Sequence, residues 1–356
     1  MIKSDILDVI EILGDDLNHL SDQQILLTGA GGFLGRYFLE VFSEAIRAGA
    51  LTNISVTAID NFCVGRDGAG DDVFDGGHSC EWLTWSQVNI CDQSEVEKLG
   101  HFSVIIHAAG IASPFYYRAS PLETLDVAVT GTRNLLELAK RFRSKFIFFS
   151  SSEIYGDPDP RHVPIKESYR GNVSCAGPRA CYDESKRLGE TLCYIYHEYF
   201  GVHTNVIRPF NIYGPSMGQN DYRVMPNFAS NIAKGLPLEV YGNGSQTRTF
   251  CYISDALVGI FKIFGRGVSG EAYNLGTAAE EVSINDLAAL IKEVWHEPVA
   301  VNVTEYPDTY PQDEPMRRCP DIKKIRLQLG YSPRVNLKQG VLKFLKWADQ
   351  NYDKAR

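Results

Sequence analysis

The run Ile25-Leu26-Leu27-Thr28-Gly29-Ala30-Gly31-Gly32-Phe33-Leu34-Gly35 leaves the chain few choices. Apolar residues lead straight into a glycine cluster, and a helical pattern, Arg36 to Phe42, starts directly after it. That is strand, tight turn and helix. Such a turn aims backbone N–H groups and the positive end of a helix dipole at one point, which suits a pyrophosphate. Gly29, Gly32 and Gly35 allow the sharp turn, close approach of a ligand, and tight packing of helix on strand. With Phe33 and Leu34 they are the candidate residues for holding a dinucleotide. A second strand, Ile54 to Ile59, ends in Asp60-Asn61. An acid at that tip, roughly 20–30 residues past the turn, can accept a hydrogen bond from an adenosine ribose 2′-OH. It would repel a 2′-phosphate, so the expected cofactor is NAD.

Alternation of strands and helices continues downstream. Gln87 to Ile90 reads as a short strand, Val104 to His107 as another, followed by Ala108-Ala109-Gly110, whose small side chains let the backbone approach a cofactor. A helix is expected over 122–141 and a buried strand over 145–149. This pattern predicts an α/β fold with a doubly wound parallel sheet, its ligands at the carboxyl ends of the strands. Asn61 to Cys80, rich in Gly and Asp, reads as a mobile loop. Ile6, Val9, Ile10, Leu13, Leu17 and Leu20 fall at helical spacing, which predicts an N-terminal amphipathic helix packed on the domain or on a partner subunit.

The strand at 145–149 runs into Ser150-Ser151-Ser152-Glu153, and Tyr182 and Lys186 lie downstream, four residues apart on one helix face. An ammonium beside a phenol favours the phenolate, so Lys186 is expected to lower the pKa of Tyr182. The pair could then take a proton from a sugar hydroxyl while hydride leaves for NAD. His107, in a buried strand, reads as a packed histidine. Tyr117 fits either the core or a sugar contact.

Composition narrows the partners. The formal net charge is −9, and no basic run interleaves with aromatics, which speaks against nucleic acid. The eight cysteines contain no Cys-x-x-Cys pair, so neither a zinc site nor a disulfide framework is indicated, and a cytoplasmic setting with reduced thiols is expected. No apolar run approaches the roughly 20 residues of a membrane span.

Taken together, these segments resemble the extended short-chain dehydrogenases/reductases that act on nucleotide sugars, and within them the UDP-glucuronate decarboxylase branch. The likeness is carried in family order by Thr28–Gly35, Asp60-Asn61-Phe62, Ser151–Pro158, Gly177–Arg187, Arg208–Pro215, Tyr241–Phe250 and Pro320–Lys324. It implies a Rossmann-type domain over 23–208, preceded by an extension helix over 1–22. A smaller mixed α/β substrate domain over 209–356 follows, with some crossing of the chain between the two. It implies Tyr182 as general base, Lys186 as its electrostatic partner, Ser151 at the sugar O4, and Ser152 and Glu153 around the decarboxylation. It also implies a nucleotide-sugar acid held by Asn211, Arg223, Tyr241, Gln246, Arg248 and Arg318, although the adjacent Arg317 could replace Arg318. A homodimer through the helices near 122–141 and 180–199 is a further expectation. The resemblance leaves a 4-epimerase, a 4,6-dehydratase and a catalytically silent NAD-binding protein open. Ala128 departs from the family, which usually has Asn there.

Overall fold

A computed structural model describes residues 1–63, 80–306 and 314–354. Most of the Gly/Asp-rich loop expected over 61–80 lies outside the described residues. A 7-stranded sheet forms the centre. It contains β1 (Gln24–Thr28), β2 (Ser55–Asp60), β3 (Leu83–Gln87), β4 (Val104–His107), β5 (Lys145–Phe149), β6 (Thr204–Pro209) and an edge strand, Ala272–Leu275. Every pairing is parallel, and the order is edge strand, β6, β5, β4, β1, β2, β3. Ile25–Leu27, Val104–Ile106 and Phe146–Phe149 are all buried, because helices cover both faces of a parallel sheet and each strand must be apolar throughout. The chain grows outward from β1 to β3, then returns to the other side of β1 at β4. That reversal opens a crevice at the carboxyl ends of β1 and β4, and the glycine turn sits in it.

Two expected elements differ. The third strand is Leu83–Gln87 rather than 87–90, because its register with β2 ends at the pair Asp60↔Gln87. Ile90 instead buries against the helical layer, where a Cβ on Gly131 would come within 2.8 Å of its Cδ1. The helix expected over 122–141 is Pro121–Asp126 and Thr132–Phe142, joined by a π-helical turn at Val127–Gly131. Ala128 lies in that turn.

The N-terminal helix, Lys3–Leu13, and the 3₁₀ turn Gly14–Leu20 pack within the same chain. Ile6, Val9, Leu13, Leu17 and Leu20 are buried, mainly against the helix Ile253–Arg266. Burying five such side chains is worth at most about 8–15 kcal/mol. Asp5, also buried, accepts hydrogen bonds from the Tyr252 hydroxyl and from Lys343, each at 2.6 Å.

Beyond β6 the described residues form three small sheets, and the edge strand returns to the large one. One small sheet pairs Thr247–Thr249 with Arg317–Arg318 in parallel, which sets Arg318 beside Arg248.

Candidate active site

A cavity of about 330 Å³ opens at the carboxyl ends of the sheet strands. It shares Gly29, Gly32, Ala108 and Gly110 with a second cavity of about 120 Å³ lined by Asp60, Asn61 and Cys63. The glycine turn is required by this geometry. Gly29 has φ +69°, and a Cβ there would lie 2.6 Å from the backbone N of Ala109. A Cβ on Gly35 would sit 2.6 Å from the Cα of Ala30. Phe33 and Leu34 open the following helix, Phe33–Arg47, and line the larger cavity. Asp60 holds the turn in shape: Oδ2 accepts the N–H of Gly31 at 2.9 Å and Oδ1 that of Phe62 at 2.8 Å. These residues fit a dinucleotide running from the small cavity into the large one.

Ser151, Tyr182 and Lys186 converge on the larger cavity. Ser151 leaves the end of β5, accepts the N–H of Glu153 at 3.3 Å and hydrogen-bonds the Tyr182 phenol. Ser152 is buried beside it. Tyr182 and Lys186 lie one turn apart on the helix Ala180–Phe200. Lys186 donates to the Phe149 carbonyl at 2.7 Å, with its Nζ 5.8 Å from the centre of the Tyr182 ring. The expected lowering of the Tyr182 pKa is not what these groups produce. Burial pushes the phenol up to about 12, against a downward pull from the Ser151 hydrogen bond. Burial also brings Lys186 down to about 8. The same dry environment disfavours both charges, and it outweighs their mutual attraction. Tyr117 stacks on Tyr182, with ring centroids 5.2 Å apart and planes 10° from parallel, and its buried hydroxyl has no hydrogen-bond partner among the described residues.

The opposite wall is a lattice of arginines and carboxylates. Arg318, 2% exposed, pairs with Glu153, while Arg317 points away and binds Glu281 at 2.7 and 2.9 Å. Of the two adjacent arginines, then, Arg318 faces the cavity. Arg179 bridges Glu153 and Glu314, the latter at 2.8 Å, and Arg248 also pairs with Glu314. Asp183 lies 3.5 Å from the Nε of Arg179, and its Oδ1 has no hydrogen-bond partner among the described residues. Burial works against ionisation of Glu153, but Arg179 and Arg318 prevail and hold its pKa below the ordinary value. Burial and the neighbouring Glu153 drive Asp183 upward. Sequence reasoning missed Arg179 and Glu314, which line the cavity, and Asp183, which packs behind Arg179. The available signal was the Arg179/Asp183 spacing, one helical turn on the same face as Tyr182's neighbours.

The remaining expected residues line the same cavity. Asn211, at φ +41°, donates from its amide to the Thr249 carbonyl at 2.9 Å, so it also ties its turn to the strand carrying Arg248. Arg223 is braced by Asp221, with Nε 2.9 Å from Oδ1. Gln246 donates to the Tyr306 hydroxyl at 3.3 Å, and the Tyr241 ring lies 6.1 Å from that of Tyr306. His107 is a packed residue: it hydrogen-bonds Thr28 at 2.9 Å and Thr132 at 3.0 Å, and burial holds it down at about 3. No group of three or more potential metal ligands occurs among the described residues.

The family model described as "NAD dependent epimerase/dehydratase family" matches residues 25–276. UDP-glucuronic acid decarboxylase 1 of Xenopus tropicalis is 37% identical across 92% of this chain and 72% of its own length. UDP-glucuronic acid decarboxylase 6 of Arabidopsis thaliana is 34% identical across 90% of this chain and 87% of its own. Among solved structures, a variant of the UDP-glucuronic acid 4-epimerase of Bacillus cereus, in complex with NAD and a fluorinated UDP-glucuronic acid, superposes with TM-score 0.78. It is 25% identical and covers 92% of this chain and 100% of that one. A dTDP-glucose 4,6-dehydratase from Streptomyces venezuelae shares the fold with TM-score 0.80 at 23% identity, over 92% and 97% of the two chains.

Proposed function

Because the chain belongs to the NAD-dependent epimerase/dehydratase family, we propose that it decarboxylates UDP-glucuronate to UDP-xylose through a 4-keto sugar, with NAD recycled. One observation carries this reading beyond the family: Arg179, Arg248 and Arg318 share a cavity with Tyr182, Lys186 and Ser151. Glu153 and Glu314 pair with these three guanidinium groups, and Asp183, beside Arg179, is disfavoured as an anion by burial and by Glu153, so the wall keeps a cationic surplus for an anionic sugar nucleotide. Arginine forks suit both carboxylate and phosphate.

NAD, when bound, accepts a hydride and later returns it. The chain's own residues do the rest. Ser151 and Tyr182 face the sugar O4, and the Tyr182 phenolate accepts the O4 proton as the C4 hydrogen departs with its electron pair. The resulting ketone lies β to the carboxylate. The C5–C6 bond then breaks, CO₂ leaves, and its electrons pass to an enolate whose oxygen takes hydrogen bonds from Ser151 and the protonated Tyr182. A proton drawn from solvent adds at C5, which matches the one proton consumed when a carboxylate leaves as CO₂, and Tyr182 gives its proton back to O4 when the C4 ketone is reduced. Glu153, held below the ordinary carboxylate range by Arg179 and Arg318, stands with Ser152 among the groups that contact the sugar and handle protons around the decarboxylation. Lys186 holds its proton close to the phenol and limits the cost of forming the anion.

The test is to incubate the purified protein with UDP-glucuronate and NAD and follow CO₂ and product mass. Release of CO₂ with a pentose product supports the reading. An unchanged mass with inverted C4 would establish an epimerase, and turnover of a neutral hexose nucleotide with loss of water a dehydratase. No turnover would leave the silent alternative.

We also propose a homodimer through the exposed Leu122, Leu125, Leu188 and Tyr194 on the two paired helices, since an apolar patch of this kind marks an interaction surface. A Leu188→Asp variant should then run as a monomer in light scattering. The eight free thiols support a reducing compartment such as the cytoplasm, and no helix among the described residues is long and apolar enough to cross a membrane.

A further inference from the structure

Two half-exposed aromatic rings meet at the edge of the cleft. Phe115, 43% exposed, comes from the short helix Pro114–Ala119 that follows β4. Tyr222, 47% exposed, comes from the segment before the helix Val224–Ala233, on the sugar-binding side. Their ring centroids are only 4.4 Å apart with planes at 33°, and Tyr116 adds edge contacts at 5.3 Å to Phe115 and 6.4 Å to Tyr222. Tyr222 lines the large cavity, and Arg223 beside it is braced by Asp221. On the inner side of the same short helix, Tyr117 stacks on Tyr182. One helix therefore carries a ring against the reacting phenol and another against the far wall at the mouth.

We propose that Phe115 and Tyr222 form an aromatic latch across the mouth of the cleft, which parts to admit a nucleotide sugar and holds the 4-keto intermediate until it is reduced. Two large apolar rings left in water gain by touching one another, and the contact joins walls contributed by distant parts of the chain. A 4-keto sugar is a complete molecule with no covalent tie to the protein. Whether it is reduced or escapes depends on how quickly the mouth opens. This inference rests on the proposed decarboxylation.

The experiment uses full-length Phe115→Ala, Tyr222→Ala, the double variant and Tyr222→Phe. UDP association and dissociation are followed by stopped flow, and the ratio of UDP-4-keto-pentose to UDP-xylose released from UDP-glucuronate by mass spectrometry. A stacked pair of this kind predicts that each Ala variant raises both UDP rates about two- to tenfold. The double variant should do no more than either single one, because losing one ring already breaks the latch. The released 4-keto fraction should rise in parallel, and Tyr222→Phe, which keeps the ring, should behave as native. Unchanged UDP rates and an unchanged product ratio overturn the latch, even if stability falls. Slower association, or additive losses of affinity without faster association, also overturn it, since they would make the rings a substrate platform. Failure of the native protein to bind UDP or release CO₂ would instead strike the proposed function.

Discussion

Ser151→Ala tests how the reacting phenol is tuned. Tyr182 is buried, and burial alone raises its pKa; the Ser151 hydroxyl is the leading group that pulls the other way, by donating to the phenolate. A hydrogen bond to a charged group is worth about 1.5–3 kcal/mol. One pKa unit corresponds to about 1.4 kcal/mol, so removing the hydroxyl should raise the Tyr182 pKa by about one to two units. A base works only when deprotonated, so kcat/KM climbs with pH through the phenol's pKa, which the positive charge of an oxidised nicotinamide would bring down from about 12, and the rising limb should move to higher pH by about one to two units in the variant. The height of the profile should also fall, because the proposed contact of Ser151 with the sugar is lost as well, so only the midpoint is diagnostic. Ser151→Thr keeps a hydroxyl and should leave the midpoint near native. A Ser151→Ala midpoint within about 0.3 unit of native, at saturating NAD, would refute the assignment of Ser151 as the group that tunes the phenol.

Tyr182→Phe should retain NAD affinity in a thermal-shift titration while activity falls by at least about 100-fold; full activity would remove Tyr182 as the base. Gly35→Ala forces a Cβ into the backbone of Ala30, so NAD should lose most of its stabilising effect on thermal unfolding while the rest of the sheet still folds. Arg318→Ala leaves Glu153 buried with Arg179 alone, and urea unfolding should show a loss of about 2–4 kcal/mol, somewhat below that of a fully orphaned charge. His107 has a folded-state pKa near 3 against 6.5 for the free group, so the unfolded chain binds its proton first. Stability contributed by the neutral ring is present above about pH 6.5 and declines as pH falls toward 3; His107→Gln should flatten that slope in urea midpoints measured between those values.

Some of this protein was legible in the order of its residues. The glycine turn after β1, the acid ending β2, and Tyr182 with Lys186 one turn apart are local patterns. Short-range geometry enforces each of them: a strand that must stop, a helix that must start, two side chains on one face. Unbroken apolar strands likewise announced a sheet covered on both sides. Ile90 shows where local reading failed. Its apolar run looked like a strand, yet the register of the sheet had already ended and the residue served a helix instead.

Other properties exist only once distant segments meet. Tyr182 and Lys186 read as a pair that favours the phenolate, but burial by the surrounding layers reverses the balance and raises the phenol's pKa. Arg317 and Arg318 are indistinguishable along the chain, and only their pairing beside Thr247–Thr249 turns one inward and the other to Glu281. The bridge from Arg179 to Glu314 spans residues far apart in sequence, as does the contact of Phe115 with Tyr222. Spacing along a strand or helix can declare which residues share a face. Desolvation and long-range charge pairing depend on what the rest of the chain packs against that face, and no short stretch of residues records it.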